Sequence, residues 1–289
     1  MTLASTEPQG RRSRANAITV DLEEWFHICG AGGALAPSNW DKLTSRVELT
    51  TRILLEELER GRARATFFAL GWVVERHPDL IGEIVAAGHD IGSHGYGHVR
   101  AYELGPDGFA DDLRRSLATL RAAGIERVAG FRAPEWSIND RSPWALELLV
   151  REGIALDASM APVKIVGRID YPRLPHVKRT PAGPIFEVPP FVVDRYGHVM
   201  PMGWGWGLRM TTPRRLLREI AAVNRAGHAA VLTVHPWELD PDPPRVSLPL
   251  AQRFGHYFRL GGFRRRLRET LAGGDFGSLA DVFRREAVA

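Results

Sequence analysis

Two histidines four residues apart, in Ser93-His94-Gly95-Tyr96-Gly97-His98, can aim both imidazoles at one divalent ion. On an α-helix positions i and i+4 share a face, and a tight loop achieves the same convergence. In a chain with 10 histidines the pair alone is a weak signal, so its meaning rests on what accompanies it. Asp21-Leu22-Glu23-Glu24 supplies carboxylates. If strand geometry persists past Asp21, alternation puts Asp21 and Glu23 on one side and Leu22 and Glu24 on the other. One acid can then bind a metal while its neighbour takes a proton from the water that the metal activates. The competing reading is a helix N-terminus that begins with acids to suit the macrodipole. The β-prone residues before these acids and Trp25-Phe26-His27 after them favour a pocket.

Phe131-Arg132-Ala133-Pro134-Glu135-Trp136 sets an arginine and a tryptophan beside a rigid proline. An arginine can orient a catalytic carboxylate through a bidentate contact, and an indole can line a sugar site. The plainer alternative is a surface ion pair with a core tryptophan. Thr233-Val234-His235-Pro236-Trp237-Glu238 ends an apolar run with a histidine that proline keeps from continuing into regular structure. Such a histidine suits a general acid that protonates a leaving group at neutral pH. The remaining histidines, His27, His77, His89, His176, His198, His228 and His256, read as surface or packing residues.

The elements that must position these groups alternate. A strand at Ala17 to Asp21 precedes a helical stretch from Ser45 to Arg60, followed by a strand at Ala65 to Leu70. Asp79 to Ala87 reads as a helix closed by Gly88, Asp90 to Gly92 as a strand, and Phe109 to Ala123 as a helix. Val128 to Phe131 reads as a strand, followed by a helix from Pro143 to Glu152 with Ser142 as its N-cap. Ala161 to Gly207, rich in Pro and Gly, reads as loops around a site with one strand at Ile185 to Val188. A helix from Pro213 to Ala226, a strand from Ala229 to Val234 and packing helices in the last forty residues complete the pattern. Strand-helix alternation signals a parallel sheet. Asp21, His94, Arg132 and His235 all fall at or just past strand C-termini, the face where parallel barrels build their sites.

The 289 residues, 44% hydrophobic, can bury the core of one large α/β barrel domain. The net charge of +4 comes mainly from scattered arginines, with one run at Arg264, Arg265 and Arg266, a solvated basic face rather than a nucleic-acid site. A single cysteine, Cys29, excludes an internal disulfide and a cysteine-based zinc knuckle. Any metal is then left to His, Asp and Glu. Residues 1 to 16 lack the apolar stretch of a signal peptide and read as a disordered tail. No run of about eighteen apolar residues appears, so stable membrane insertion is not expected. The expected organisation is one domain over 17–289 with a helical extension from about 241, in a cytoplasmic protein.

Together these segments resemble the polysaccharide deacetylase family, carbohydrate esterase family 4, over roughly residues 17 to 240. The most specific part is Ala65 through His98, ATFFALGWVVERHPDLIGEIVAAGHDIGSHGYGH. The resemblance implies a distorted (β/α)7-type barrel of parallel strands with C-terminal packing helices. It makes His94 and His98 metal ligands, Arg132 the third-motif arginine and His235 the late catalytic histidine. The first motif departs from the family's paired aspartates. Asp21 aligns as the catalytic base and Glu23 is assigned as the third ligand, with Glu24 and Asp21 as alternatives. Trp25, Pro134, Trp136 and Trp237 are assigned to substrate. The HPWELDP segment and Arg253-Phe254-Gly255-His256-Tyr257 are similar to the subfamily associated with exosortase (PEP-CTERM) exopolysaccharide loci. The implied cofactor is Zn2+ or another divalent transition metal. The implied partner is an N-acetylated glycan or lipid-linked saccharide. A cyclic-amide hydrolase of the allantoinase type and a non-catalytic glycan-binding subunit are the competing readings.

Overall fold

The computed structural model describes residues 15–195 and 197–283. Residues 1–14, most of the expected tail, lie outside the described residues. Asn16, assigned to that tail, instead opens the first strand, β1 (Asn16–Leu22), and is buried there.

After β1 come α1 (Val47–Arg60), β2 (Thr66–Ala69), α2 (Gly71–Arg76), α3 (Pro78–Ala86) and β3 (Asp90–Ser93). The middle holds α4 (Ala101–Ala122), broken at Gly105, then α5 (Ala145–Arg151), β4 (Leu156–Asp157), β5 (His176–Thr180) and β6 (Gly183–Glu187). The rest comprises β7 (Val192–Arg195), β8 (His198–Pro201), α6 (Gly205–Met210), α7 (Pro213–Arg225), β9 (Val231–Val234), α8 (Leu250–Tyr257), α9 (Phe263–Gly273), β10 (Phe276–Gly277) and α10 (Leu279–Phe283).

The strands β9, β1, β2 and β3 pair in that order, all parallel. They are buried nearly throughout, which is why they read as apolar runs instead of alternating ones. Beyond β3 the expected strand at Val128 to Phe131 shrinks to Phe131, which bridges Ser93 on one side and Asp157 of β4 on the other. β4 pairs in parallel with β6. Seven parallel positions thus follow one another, as the barrel expectation requires. The ring is not closed by a strand pair among the described residues. Instead the Phe191 N–H donates to Val231 O at 3.0 Å and the Thr233 N–H to Gly203 O at 2.5 Å, bridging the segments after β6 to β9.

Other differences have local causes. β5 pairs antiparallel with β6, and β7 with β8, so two hairpins occupy the stretch expected as loops. β10 pairs with Asn16 and Ala17, adding a strand where only helices were expected. Ser142 does not cap α5: its hydroxyl accepts the Asn139 N–H and donates to Ser137 O. Thr212, in contrast, caps α7 by accepting the Arg215 N–H. No helix among the described residues is long and apolar enough to cross a membrane.

Close packing at β3 positions the histidine loop that follows it. A Cβ on Gly92 would come 2.6 Å from Phe68 Cδ1 and 2.9 Å from Gly130 O, so only glycine fits between β2 and the Phe131 segment. Gly92→Ala should therefore destabilise the protein by roughly 1–3 kcal/mol through overpacking. Denaturant unfolding checks this, and a midpoint equal to that of the parent chain would contradict it.

Candidate metal centre and active site

The parallel strands end at one rim, and the chemical side chains stand there. Glu23 follows β1, His94 follows β3, Arg132 follows Phe131 and His235 follows β9. Asp21 and Glu23 face the same side, as alternation requires: His235 Nε2 lies 3.8 Å from Asp21 Oδ2 and 3.8 Å from Glu23 Oε1. Leu22, between them, is fully buried in the core.

Glu23, His94 and His98 converge, each offering a ligand atom within 4.8 Å of the others, and all three are buried. Glu23 Oε2 lies 2.5 Å from His98 Nε2 and 3.9 Å from His94 Nε2. It nevertheless makes no aligned hydrogen bond. Burial alone would raise the Glu23 pKa. The surrounding His98, His235 and His94 instead hold it below the usual carboxylate range.

Both histidines of the cluster have neighbours at Nδ1. His94 Nδ1 lies 2.8 Å from the carbonyl oxygen of Arg132, which can only accept, so Nδ1 carries the proton and Nε2 presents its lone pair. Burial lowers the His94 pKa to about 4, keeping the imidazole neutral at physiological pH. His98 Nδ1 lies 3.5 Å from Cys29 Sγ, whose thiol donates to His98 O at 3.3 Å. The loop between the histidines is tied down by Asp112 of α4, whose carboxylate accepts the N–H groups of Tyr96 at 2.7 Å and Gly97 at 2.9 Å. Gly95 takes φ +73°, and a Cβ there would meet Asp112 Oδ2 at 2.7 Å. An orphaned buried carboxylate oxygen facing the Nε2 atoms of two histidines is a donor set that fits a zinc-type divalent ion.

Glu24, the alternative ligand, is occupied elsewhere. Its carboxylate accepts the N–H groups of Arg46 and Val47 and the Ser45 hydroxyl at the start of α1. Asp21 is held by Arg132, whose Nη1 donates to Asp21 Oδ1 at 3.0 Å and to Thr19 and Thr233 Oγ1, both at 2.9 Å. The contact uses one nitrogen and is not the bidentate pair expected. Nε donates to Ala158 O at 3.0 Å.

His235 is oriented by Glu238, whose Oε2 accepts the His235 N–H at 3.1 Å and lies 3.3 Å from Nδ1. Burial would lower the His235 pKa, but Glu238, Glu23 and Asp21 raise it to about 9. Glu238 is itself buried, and its Oε1 lies 3.2 Å from Arg209 Nε. Arg209 is anchored by donating to the carbonyls of Gly255, His256 and Phe258 at the end of α8.

Of the residues assigned to substrate, Trp237 belongs to the site: its indole N–H donates to Glu23 Oε1 at 3.1 Å, and its ring stacks on His256 at 4.4 Å. Trp136 adjoins it, with the Arg132 guanidinium 5.3 Å from its ring, which packs against Trp204. Pro134 is buried at the start of that turn. Trp25 is a correction: it is buried in the core, with its indole N–H donating to Thr44 O. His27 and His256, read as packing residues, do pack, but against His98 and Trp237 at the site itself. Asp112, Cys29, Arg209 and Glu238 were missed. Only Glu238 left a sequence signal, since an acid three residues after a helix-capping position is the capping-box spacing.

Comparison with known proteins shows what the chain is similar to. The pattern of the polysaccharide deacetylase family matches residues 39–151, and that of a domain of unknown function, DUF3473, matches residues 158–284. The peptidoglycan deacetylase of Helicobacter pylori is 26% identical over 145 residues, 50% of this chain and 48% of that protein. A peptidoglycan-N-acetylglucosamine deacetylase of Bacillus cereus is 33% identical over 87 residues, 30% of this chain and 40% of that protein. The chain thus spans less than half the length of either relative. Among solved structures, a candidate polysaccharide deacetylase from Mycobacterium smegmatis superimposes with a TM-score of 0.63 at 21% identity, covering 99% of this chain and 94% of that one. The allantoinase Puue superimposes with a TM-score of 0.60 at 16% identity, covering 97% and 93%. At these identities the superpositions show a shared fold.

The geometry separates the acids by role. Glu23→Ala should lose bound metal, whereas Asp21→Asn should retain it. Asp112→Ala, which frees the loop without touching a ligand atom, should weaken metal affinity by roughly 10- to 100-fold. Chelator competition with elemental analysis measures all three, and metal loss in Asp21→Asn would exchange the assignments.

Proposed function

Because the chain belongs to the polysaccharide deacetylase family, carbohydrate esterase family 4, we propose that it is a divalent-metal-dependent hydrolase removing N-acetyl groups from the amino sugars of a polysaccharide or its precursor, within exopolysaccharide biosynthesis. The observation that carries this reading is the convergence at one rim of the buried Glu23, His94 and His98 cluster with Asp21 and His235, whose Nε2 lies 3.8 Å from Asp21 and from Glu23. The relatives named as deacetylases of peptidoglycan support the substrate class. A lipid-linked saccharide and a cytoplasmic setting, the latter expected from cysteine usage, belong to the same proposal.

Glu23 Oε2, His94 Nε2 and His98 Nε2 would hold the ion, zinc or another divalent transition metal. When bound, it supplies Lewis acidity, polarising an acetyl carbonyl and easing the deprotonation of water. Asp21 accepts the proton of the attacking water at Oδ2, since Oδ1 is tied to Arg132. His235 donates a proton from Nε2 to the departing amine, which leaves poorly as an anion. Glu238 holds the other face of that imidazole and keeps it charged. Trp237, fixed through its N–H to Glu23, and Trp136 behind Pro134 would offer flat walls to a sugar ring.

The deciding experiment is acetate release from N-acetylated oligosaccharides by the metal-loaded protein. Silence on every sugar together with ring opening of allantoin or succinimide would replace the deacetylase reading with a cyclic-amide one. His235→Ala should keep its metal while kcat falls by roughly 10²-fold or more, and near-normal kcat on an amide substrate would remove His235 from the mechanism. The pH dependence follows from the raised pKa. The acid works while protonated, so kcat should fall as pH rises through about 9. Glu238→Gln removes the charge that raises this pKa, so the alkaline limb of the kcat profile should move to lower pH. An unmoved limb would assign it to another group.

A further inference from the structure

A charged cleft of about 400 Å³ is lined among others by Arg100, Tyr102, Glu135, Asp140, Arg141 and Lys164. Two contacts join it to the site. Arg100 Nη2 donates to the carbonyl of Cys29, whose Sγ lies 3.5 Å from His98 Nδ1. Glu135 immediately precedes Trp136, the ring facing the Arg132 guanidinium. Glu135 and Trp136 are consecutive non-glycine residues at φ +52° and +50°. A chain held in that left-handed region costs energy, and such strain gathers at functional sites.

The acids of this cleft are already answered. Glu135 accepts from Arg100 at 2.7 Å, and Asp140 accepts from Arg168 at 2.8 Å and from the Tyr171 hydroxyl at 2.9 Å. Arg141 and Lys164 are exposed, and neither has an acidic partner among the described residues. Arg141 is held by stacking, with its guanidinium carbon 3.5 Å from the Tyr102 ring centroid. Stacking uses the guanidinium face and leaves its in-plane N–H groups free, the geometry that meets a carboxylate with two hydrogen bonds. The volume is within the range of small-ligand sites. A neutral sugar would be gripped by a bare aromatic face, but here that face is covered by a cation.

We propose that this cleft binds a carboxylate-bearing sugar residue, so that the glycan processed at the metal cluster is acidic, with Arg141 and Lys164 selecting it. This rests on the deacetylase reading for what happens to the bound chain. The charged residue would occupy the cleft while another residue of the same chain is processed at the cluster, and the two unpaired cations set which polymers enter. Electrostatic selection of this kind weakens with salt because the charges are exposed.

The test is binding by calorimetric titration of the metal-loaded protein at low salt. The probes are a hexasaccharide of alternating N-acetylglucosamine and glucuronate, and N-acetylglucosamine hexasaccharide. The acidic probe should bind at least about ten-fold tighter, an advantage that added salt removes. In Arg141→Ala/Lys164→Ala the two affinities should converge, with circular dichroism and metal stoichiometry reporting that the fold is kept. Arg141→Lys, which retains charge and loses the fork, should fall between. Equal affinity of the parent protein for both probes, or an undiminished acidic preference in the double variant, would overturn the proposal. Affinity and acetate release are read as separate quantities. An acidic preference with no acetate release would therefore sink the deacetylase reading alone, and acetate release without the preference would sink this one alone.

Discussion

The buried guanidinium of Arg132 is the contact on which the rest of the site depends. It is fully buried, which would be costly for an unpaired charge. Asp21 supplies the countercharge, and Thr19, Thr233 and Ala158 O accept further N–H bonds from Nη1 and Nε, while Nη2 makes none. These partners come from β1, β9 and the end of β4, so one side chain ties three positions of the sheet together across the interior. The same residue's carbonyl orients His94. Arg132 thereby fixes the proposed base and one proposed ligand in a single arrangement, with its guanidinium 4.7 Å from the Phe68 ring below it.

The opposite wall is set by a second buried arginine. Arg209 meets Glu238, Glu238 meets His235, and Arg209 is in turn gripped by three carbonyls at the end of α8. A cation at a helix C-terminus is where the backbone dipoles favour it. The C-terminal segment, which in sequence looks like packing helices, therefore bears directly on the protonation of the proposed general acid. Trp237 and His256 continue the link, with burial lowering the His256 pKa to about 4 so that a neutral imidazole stacks on the indole.

The histidine loop shows why local sequence could announce the ligands but not their support. His98 itself sits at φ +51°, an uncommon conformation for a residue other than glycine that persists because its surroundings over-determine it. Those surroundings are the Asp112 carboxylate from α4, the Gly71 and Trp72 N–H groups donating to Gly95 and Tyr96 carbonyls, and the Cys29 thiol. None is close in sequence to the loop, and none belongs to a residue type whose spacing points there.

The local pattern was enough for β1 and β9, because each is a mostly apolar run followed by a polar residue, Glu23 and His235. Alternation alone put Asp21 and Glu23 on one side, and the spacing of His94 and His98 announced that their imidazoles converge. The family resemblance then added roles. Other features were decided only by tertiary packing. Phe131 is a single residue bridging Ser93 and Asp157, where the sequence reads as a longer strand. Trp25 and Trp237 are both tryptophans beside site residues, yet one packs into the core and donates to Thr44 while the other reaches Glu23. Glu24 and Glu23 are adjacent acids, yet one caps α1 and the other faces two histidines. Sequence determines which residues can do chemistry and which face of a strand they share, since those are properties of side-chain type and a period of two. Which of several equivalent groups meets at the rim is settled by contacts between segments far apart in the chain, and no local pattern encodes those.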